Sequence, residues 1–141
     1  MPSARAAGGH FFDTNVLLYL LSADAAKADR AEAVIAEGGT ISVQVLNEFV
    51  SVARRKLDMA WADIAEVLGD IRTIVRIEPL TEDVHDQAMT LARKHRLGWY
   101  DALIAASALS AGCRTLCSED FQNGMLLGGS LRVTNPFVAS A

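Results

Sequence analysis

The stretch His10–Leu21, HFFDTNVLLYLL, constrains the chain more than any other. Two aromatics, Phe11 and Phe12, deliver one carboxylate, Asp13. Thr14 and Asn15 follow, and then the apolar segment Val16–Leu21. This is the pattern of a short buried strand that runs into a helix and drops an acid at the junction. In an open α/β sheet, ligands and metals bind at the carboxyl ends of the strands. An acid there can equally cap the helix it precedes, so the weight of Asp13 depends on whether other carboxylates share its rim.

The remainder reads as helices alternating with short strands. Asp24 caps a helix over Ala25–Glu37, which Gly38-Gly39 ends in the manner of a C-cap. Thr40–Ser42 is short and β-prone, and Ser42 caps the helix Val43–Lys56. Trp61, Ile64, Val67, Leu68 and Ile71 give helical spacing to Ala60–Thr73, and Ile74–Ile77 reads as a strand. Thr81 caps Glu82–His95, with Gly98 as its stop. Tyr100–Ala111 is apolar almost all round, the mark of a fully buried helix. Arg114–Leu116 is a strand, Ser118–Gly124 a loop and Leu131–Thr134 a last strand. The pattern predicts one α/β domain over residues 10–137, a short-stranded parallel sheet covered by helices on both faces. Residues 1–9 are expected to be a disordered N-terminal tail and 138–141 a C-terminal tail.

No stretch reads as a membrane span. The longest apolar-rich run, Trp99–Ala111, is broken by Asp101 and too short to cross a bilayer. Met1–Gly9 lacks the apolar core of a signal peptide. Cys113 and Cys117 read as buried small hydrophobes, and no second Cys/His pair accompanies them. His10, His85 and His95 are scattered, which argues against zinc. With no disulfide pattern, the expected compartment is a reducing cytoplasm.

The carboxylates are the informative residues. Glu48 falls on the flank of the apolar stripe of its helix, where an unpaired charge is costly. Arg54, Arg55 and Lys56 could pair with it, but none stands at i+3 or i+4. Asp101 is the only charged residue in Gly98–Gly112 and lies near the start of the buried helix, where an acid also complements the helix dipole. Ser118-Glu119-Asp120 follows directly on a strand, and Glu119 and Asp120 cannot both point the same way along an extended segment. Each acid alone has an ordinary structural reading. Together, Asp13, Asp101 and Asp120 fall where strands end or their helices begin, and Glu48 sits early on another such helix. Carboxylates on one rim repel unless a cation sits among them. Hard oxygen ligands without His or Cys select Mg²⁺ or Mn²⁺, and such a site suits in-line attack on a phosphodiester. The formal net charge of −4 does not exclude a nucleic-acid partner, because setting four acids aside from 17 leaves 13, equal to the Lys+Arg count of 13.

The series FFDTNVLLY, SVQVLNEF, YDALIAASALSAGC and TLCSED resembles the PIN-domain ribonucleases, especially the VapC-type toxins of bacterial toxin–antitoxin pairs. The resemblance runs from about His10 to Phe137, with the motifs in the family's order. It implies a three-layer α/β/α fold and a Mg²⁺- or Mn²⁺-dependent endoribonuclease. The family's acidic quartet maps onto Asp13, Glu48, Asp101 and Asp120, its last small hydroxyl residue onto Ser118, and the supports of its first aspartate onto Thr14 and Asn15. Glu119 stands as an alternative or helper to Asp120. The resemblance also implies a homodimer and a small antitoxin protein that blocks the site. Two positions depart from the pattern: bulky Trp99 precedes Tyr100-Asp101, and Asn123 stands where an acid is common.

For the RNA substrate, Arg54-Arg55-Lys56 and Arg93-Lys94-His95-Arg96 are the two basic clusters, each also explained by its place at a helix C-terminus. Trp99 and Tyr100 could stack a base, but beside a buried helix they are expected in the core. The competing readings are a non-catalytic PIN module that binds protein or RNA, and a PIN nuclease of RNA maturation or decay. A haloacid-dehalogenase-like enzyme would need a second aspartate where Asn15 stands. A receiver domain would need a lysine beyond its last core strands, and the last lysine here is Lys94.

Overall fold

A computed structural model describes residues 9–138. The expected terminal tails therefore fall almost wholly outside the described residues. In chain order the elements are β1 (His10–Phe12), α1 (Thr14–Leu18) continued by a 3-10 turn (Tyr19–Leu21), α2 (Ala25–Ala36), β2 (Gly39–Ser42), α3 (Val43–Arg55) and α4 (Trp61–Arg72). There follow β3 (Val75–Glu78), α5 (Glu82–His95), α6 (Trp99–Ser110), β4 (Thr115–Cys117), β5 (Leu126–Leu127) and β6 (Leu131–Thr134).

The six strands form one sheet in the order β3-β2-β1-β4-β6-β5. All pairs are parallel except β5 with β6, which is antiparallel. Sequence periodicity did not reveal β5: it is two residues long and ends at Gly128-Gly129. The connections β1-to-β2 and β2-to-β3 step toward one edge, and β3-to-β4 returns past β1. Right-handed crossovers then place α1–α4 and α5–α6 on opposite faces. Coverage of both faces shows directly in the strands: Phe11 and Phe12 point to opposite sides and both are 0% exposed.

The caps explain where the helices start. Asp24 accepts from the amides of Ala26 and Lys27, Ser42 from Val45, and Thr81 from Val84. Gly38, at φ 87°, turns the chain out of α2. Gly39 then lets β2 approach β1, because a Cβ there would lie 2.5 Å from the His10 carbonyl oxygen. Gly98 does not end α5. Arg96 does, in the left-handed conformation at φ 55°, and Gly98 instead precedes α6 as its N-cap residue. Ala102 through Ala108 on α6 are all buried, as the unbroken apolar pattern requires. Cys113 and Cys117 are free and buried, and burial pushes the Cys117 thiol up to about 12.

Candidate acidic site at the sheet's carboxyl rim

The chain leaves β1 in opposite directions toward β2 and, later, toward β4, so the β1/β4 boundary is the point where the strand order reverses. Phe12 pairs with Cys117 in register, and the Asp13 amide donates to the Cys117 carbonyl at 3.0 Å. That register sets Asp13 beside Ser118, although they are separated by 105 positions. Asp13 is the N-cap of α1, with Oδ1 accepting from the Thr14 amide at 2.7 Å. Its Oδ2 accepts from Ser118 Oγ at 2.7 Å and from Asn15 Nδ2 at 3.3 Å. Capping and a place on the rim are thus one role for this residue.

Three acids converge there. One carboxylate oxygen from each of Asp13, Asp101 and Asp120 lies within 4.8 Å of the others. Asp13 is buried, Asp101 half-buried in the first turn of α6, and Asp120 exposed. Burial lifts the Asp13 carboxyl to about 7 against the pull of its Ser118 and Thr14 hydrogen bonds, and the charges of Asp120 and Glu48 add to the rise. Burial, then Asp120 and Glu48, likewise raise Asp101, which meets no side-chain donor among the described residues. An unpartnered, half-buried carboxylate aimed at two others fits a hard divalent cation better than any protein partner in view.

Glu48 lies outside this group of three. Gln44 Nε2 donates to its Oε2 at 2.8 Å and Thr14 Oγ1 to its Oε1 at 3.2 Å. Neither Arg54, Arg55 nor Lys56 pairs with it; the only ion pair among the described residues is His85–Asp86. Gln44 was not singled out from sequence, although its i, i+4 spacing to Glu48 is a readable signal. Glu119 turns away from the rim, with both carboxylate oxygens taken by the Tyr19 hydroxyl at 2.7 and 2.8 Å. Its amide donates to Asn15 Oδ1 at 3.3 Å. The geometry therefore separates Asp120 from Glu119, not by strand alternation but by a bend after β4 in which the Asp120 amide donates to Ser118 Oγ at 3.0 Å. Asn15 is the hub: besides Asp13, its Nδ2 reaches Ser118 Oγ at 3.2 Å and Asp120 at 3.1 Å.

The basic triplet divides. Arg54 is committed to the Met59 carbonyl at 2.7 Å and to the face of Trp61. Arg55 and Lys56 are exposed. Tyr100 is 62% exposed, contrary to its expected place in the core, whereas Trp99 beside it is half-buried against the core and meets the His85 ring edge-on.

Helices on both faces of a mostly parallel sheet, with carboxylates converging where its two halves diverge, define an α/β domain with an acidic site at the carboxyl rim. The chain belongs to the PIN domain family, whose model matches residues 10–122. Its fold is similar to that of Mycobacterium tuberculosis VapC20, a Sarcin-Ricin loop cleaving toxin. The TM-score is 0.64 at 24% identity, covering 79% of this chain and 90% of that one. It is also similar to a toxin–antitoxin complex from Klebsiella pneumoniae (TM-score 0.69, 20% identity, 92% and 98% covered). DNA-bound VapBC from Salmonella typhimurium is a further match (0.66, 18%, 90% and 97%). No curated protein sequence gives a significant match.

Proposed function

We propose that this chain is a divalent-metal-dependent endoribonuclease and the toxin of a toxin–antitoxin pair. The convergence of Asp13, Asp101 and Asp120 within 4.8 Å carries the reading. Family membership and the similarity to toxin structures, several of them solved with their antitoxins, support it. Asp13, Asp101 and Asp120 would hold Mg²⁺ or Mn²⁺, with Glu48 as the fourth carboxylate. A bound ion of this kind lowers the pKa of its water and offsets charge developing on the phosphate. Asn15 and Ser118 orient Asp13 and Asp120, and Thr14 and Gln44 hold Glu48 at the rim. Asp13, whose burial lifts its carboxyl to about 7, would be held ionised by a bound cation.

The partners of this reading are RNA, a cognate antitoxin protein and a second copy of the chain in a homodimer. Among the described residues no helix is long and apolar enough to cross a membrane, and the proposed compartment is the cytoplasm. The test is cleavage of total cellular RNA by purified, antitoxin-free protein, with Mg²⁺, Mn²⁺ or EDTA, beside Asp13→Asn. Discrete fragments that disappear with EDTA and in the variant are expected. Intact RNA in every lane from folded protein would refute the nuclease and favour a non-catalytic binding module.

A further inference from the structure

A groove of about 520 Å³ opens beside the acid rim, between α3 and the start of α6. That volume falls within the range of about 300–1,000 Å³ typical of ligand sites. Its lining is mostly polar. Asn47, Ser51 and Arg55 stand one helical turn apart along α3, Glu48 forms the side shared with the acids, and Tyr100 closes the opposite wall. Ser51 Oγ accepts from Arg55 Nε at 3.0 Å, which fixes the guanidinium along the groove. Tyr100 is exposed to 62% and precedes Asp101 directly, so its ring is bound by sequence to the position of a rim carboxylate.

We infer that this groove seats the nucleotide next to the scissile phosphate of single-stranded RNA and gives the enzyme its base preference. The inference rests on the ribonuclease reading of the adjoining site. An exposed aromatic ring is a stacking platform for any base. Asn47 supplies an amide that both donates and accepts and can distinguish base edges. Arg55 supplies one cation for a backbone phosphate. Glu48, already bonded to Gln44 and Thr14, marks the end of the groove nearest the acids, and Arg55 lies two turns further along α3. Of the basic triplet, only Arg55 lines this groove.

The test measures binding of fluorescein-labelled rA8, rC8, rG8 and rU8 to the full chain in EDTA, followed by cleavage of a randomised RNA with Mn²⁺. Tyr100→Ala should weaken binding of the oligonucleotides about 5- to 150-fold, while Tyr100→Phe keeps wild-type affinity. Arg55→Ala should lower the slope of log affinity against log salt by about 0.7, the share of one phosphate contact on a single strand. Asn47→Ala should change or flatten the base preferred at one position beside the cut. Wild-type cleavage of RNA with unchanged binding and base preference in these variants would overturn the groove and leave the nuclease standing. Wild-type protein that neither binds these oligonucleotides nor cleaves RNA would overturn both.

Discussion

Replacing Asp13 by asparagine is expected to stabilise the metal-free fold while removing a carboxylate from the proposed cation site. Unfolded, the Asp13 carboxyl titrates near 3.8; folded, it titrates near 7. Between those values the folded protein keeps a proton that the unfolded chain has lost. Stability therefore falls as pH rises through the window and levels off above it. At about 1.4 kcal/mol for each tenfold in proton affinity, ionised Asp13 holds the metal-free fold back by roughly 4 kcal/mol. Asparagine escapes this penalty but places an amide where Ser118 and Asn15 donate, which costs about 1–3 kcal/mol. The net gain is about 1–3 kcal/mol, a rise of several degrees in Tm for a domain of this size. Thermal melts in EDTA at pH 8 should show the variant above wild type, and at pH 4 the advantage should vanish or reverse. Excess Mn²⁺ should then lift wild type and leave the variant nearly unmoved. A variant melting at or below wild type at pH 8 in EDTA would refute the account of Asp13 as a buried, unfavourable charge.

Tyr19→Phe frees Glu119 and loosens the Ser118–Asp120 turn. We expect a loss of about 1 kcal/mol in denaturant melts, together with a several-fold drop in Mn²⁺ affinity by calorimetry that no change at Asp120 itself accounts for. Gly39→Ala forces a Cβ to within 2.5 Å of the His10 carbonyl. The expected cost is about 3 kcal/mol or more, seen as a collapse of the urea midpoint.

Much of this architecture was legible because local chemistry decided it. Asp24, Ser42 and Thr81 announce helix starts, and each does cap one. Asp13 and Asp101 stood out because each interrupts apolar sequence at an element junction, whereas Asp120, in the polar run Ser118-Glu119-Asp120, could not be separated from Glu119. What could not be read depends on partners remote in sequence or on very short pairing. Glu119 meets Tyr19 across 100 positions, so its turning away from the rim left no local trace. Strand β5 spans two residues with no periodicity to detect. Tyr100 is exposed although Trp99 beside it packs on the core, and composition alone does not show which side of a helix's first turn is covered. Gln44, by contrast, stood in plain view one turn before Glu48.

The pairing of β1 with β4 also orders events during synthesis. The first acid, Asp13, is made 105 positions before Ser118, which follows the β4 neighbour of its strand. Asn15 has no Ser118 or Asp120 to grip until that neighbour arrives. A growing chain therefore carries the first carboxylate without its pocket until β4 has been made. Ribosome-bound fragments ending before Cys117 hold the residues of an incomplete rim, and the acid cluster forms only as β4 and its turn dock. For a chain proposed to attack RNA, topology itself postpones the hazard until β4 and its turn have been made.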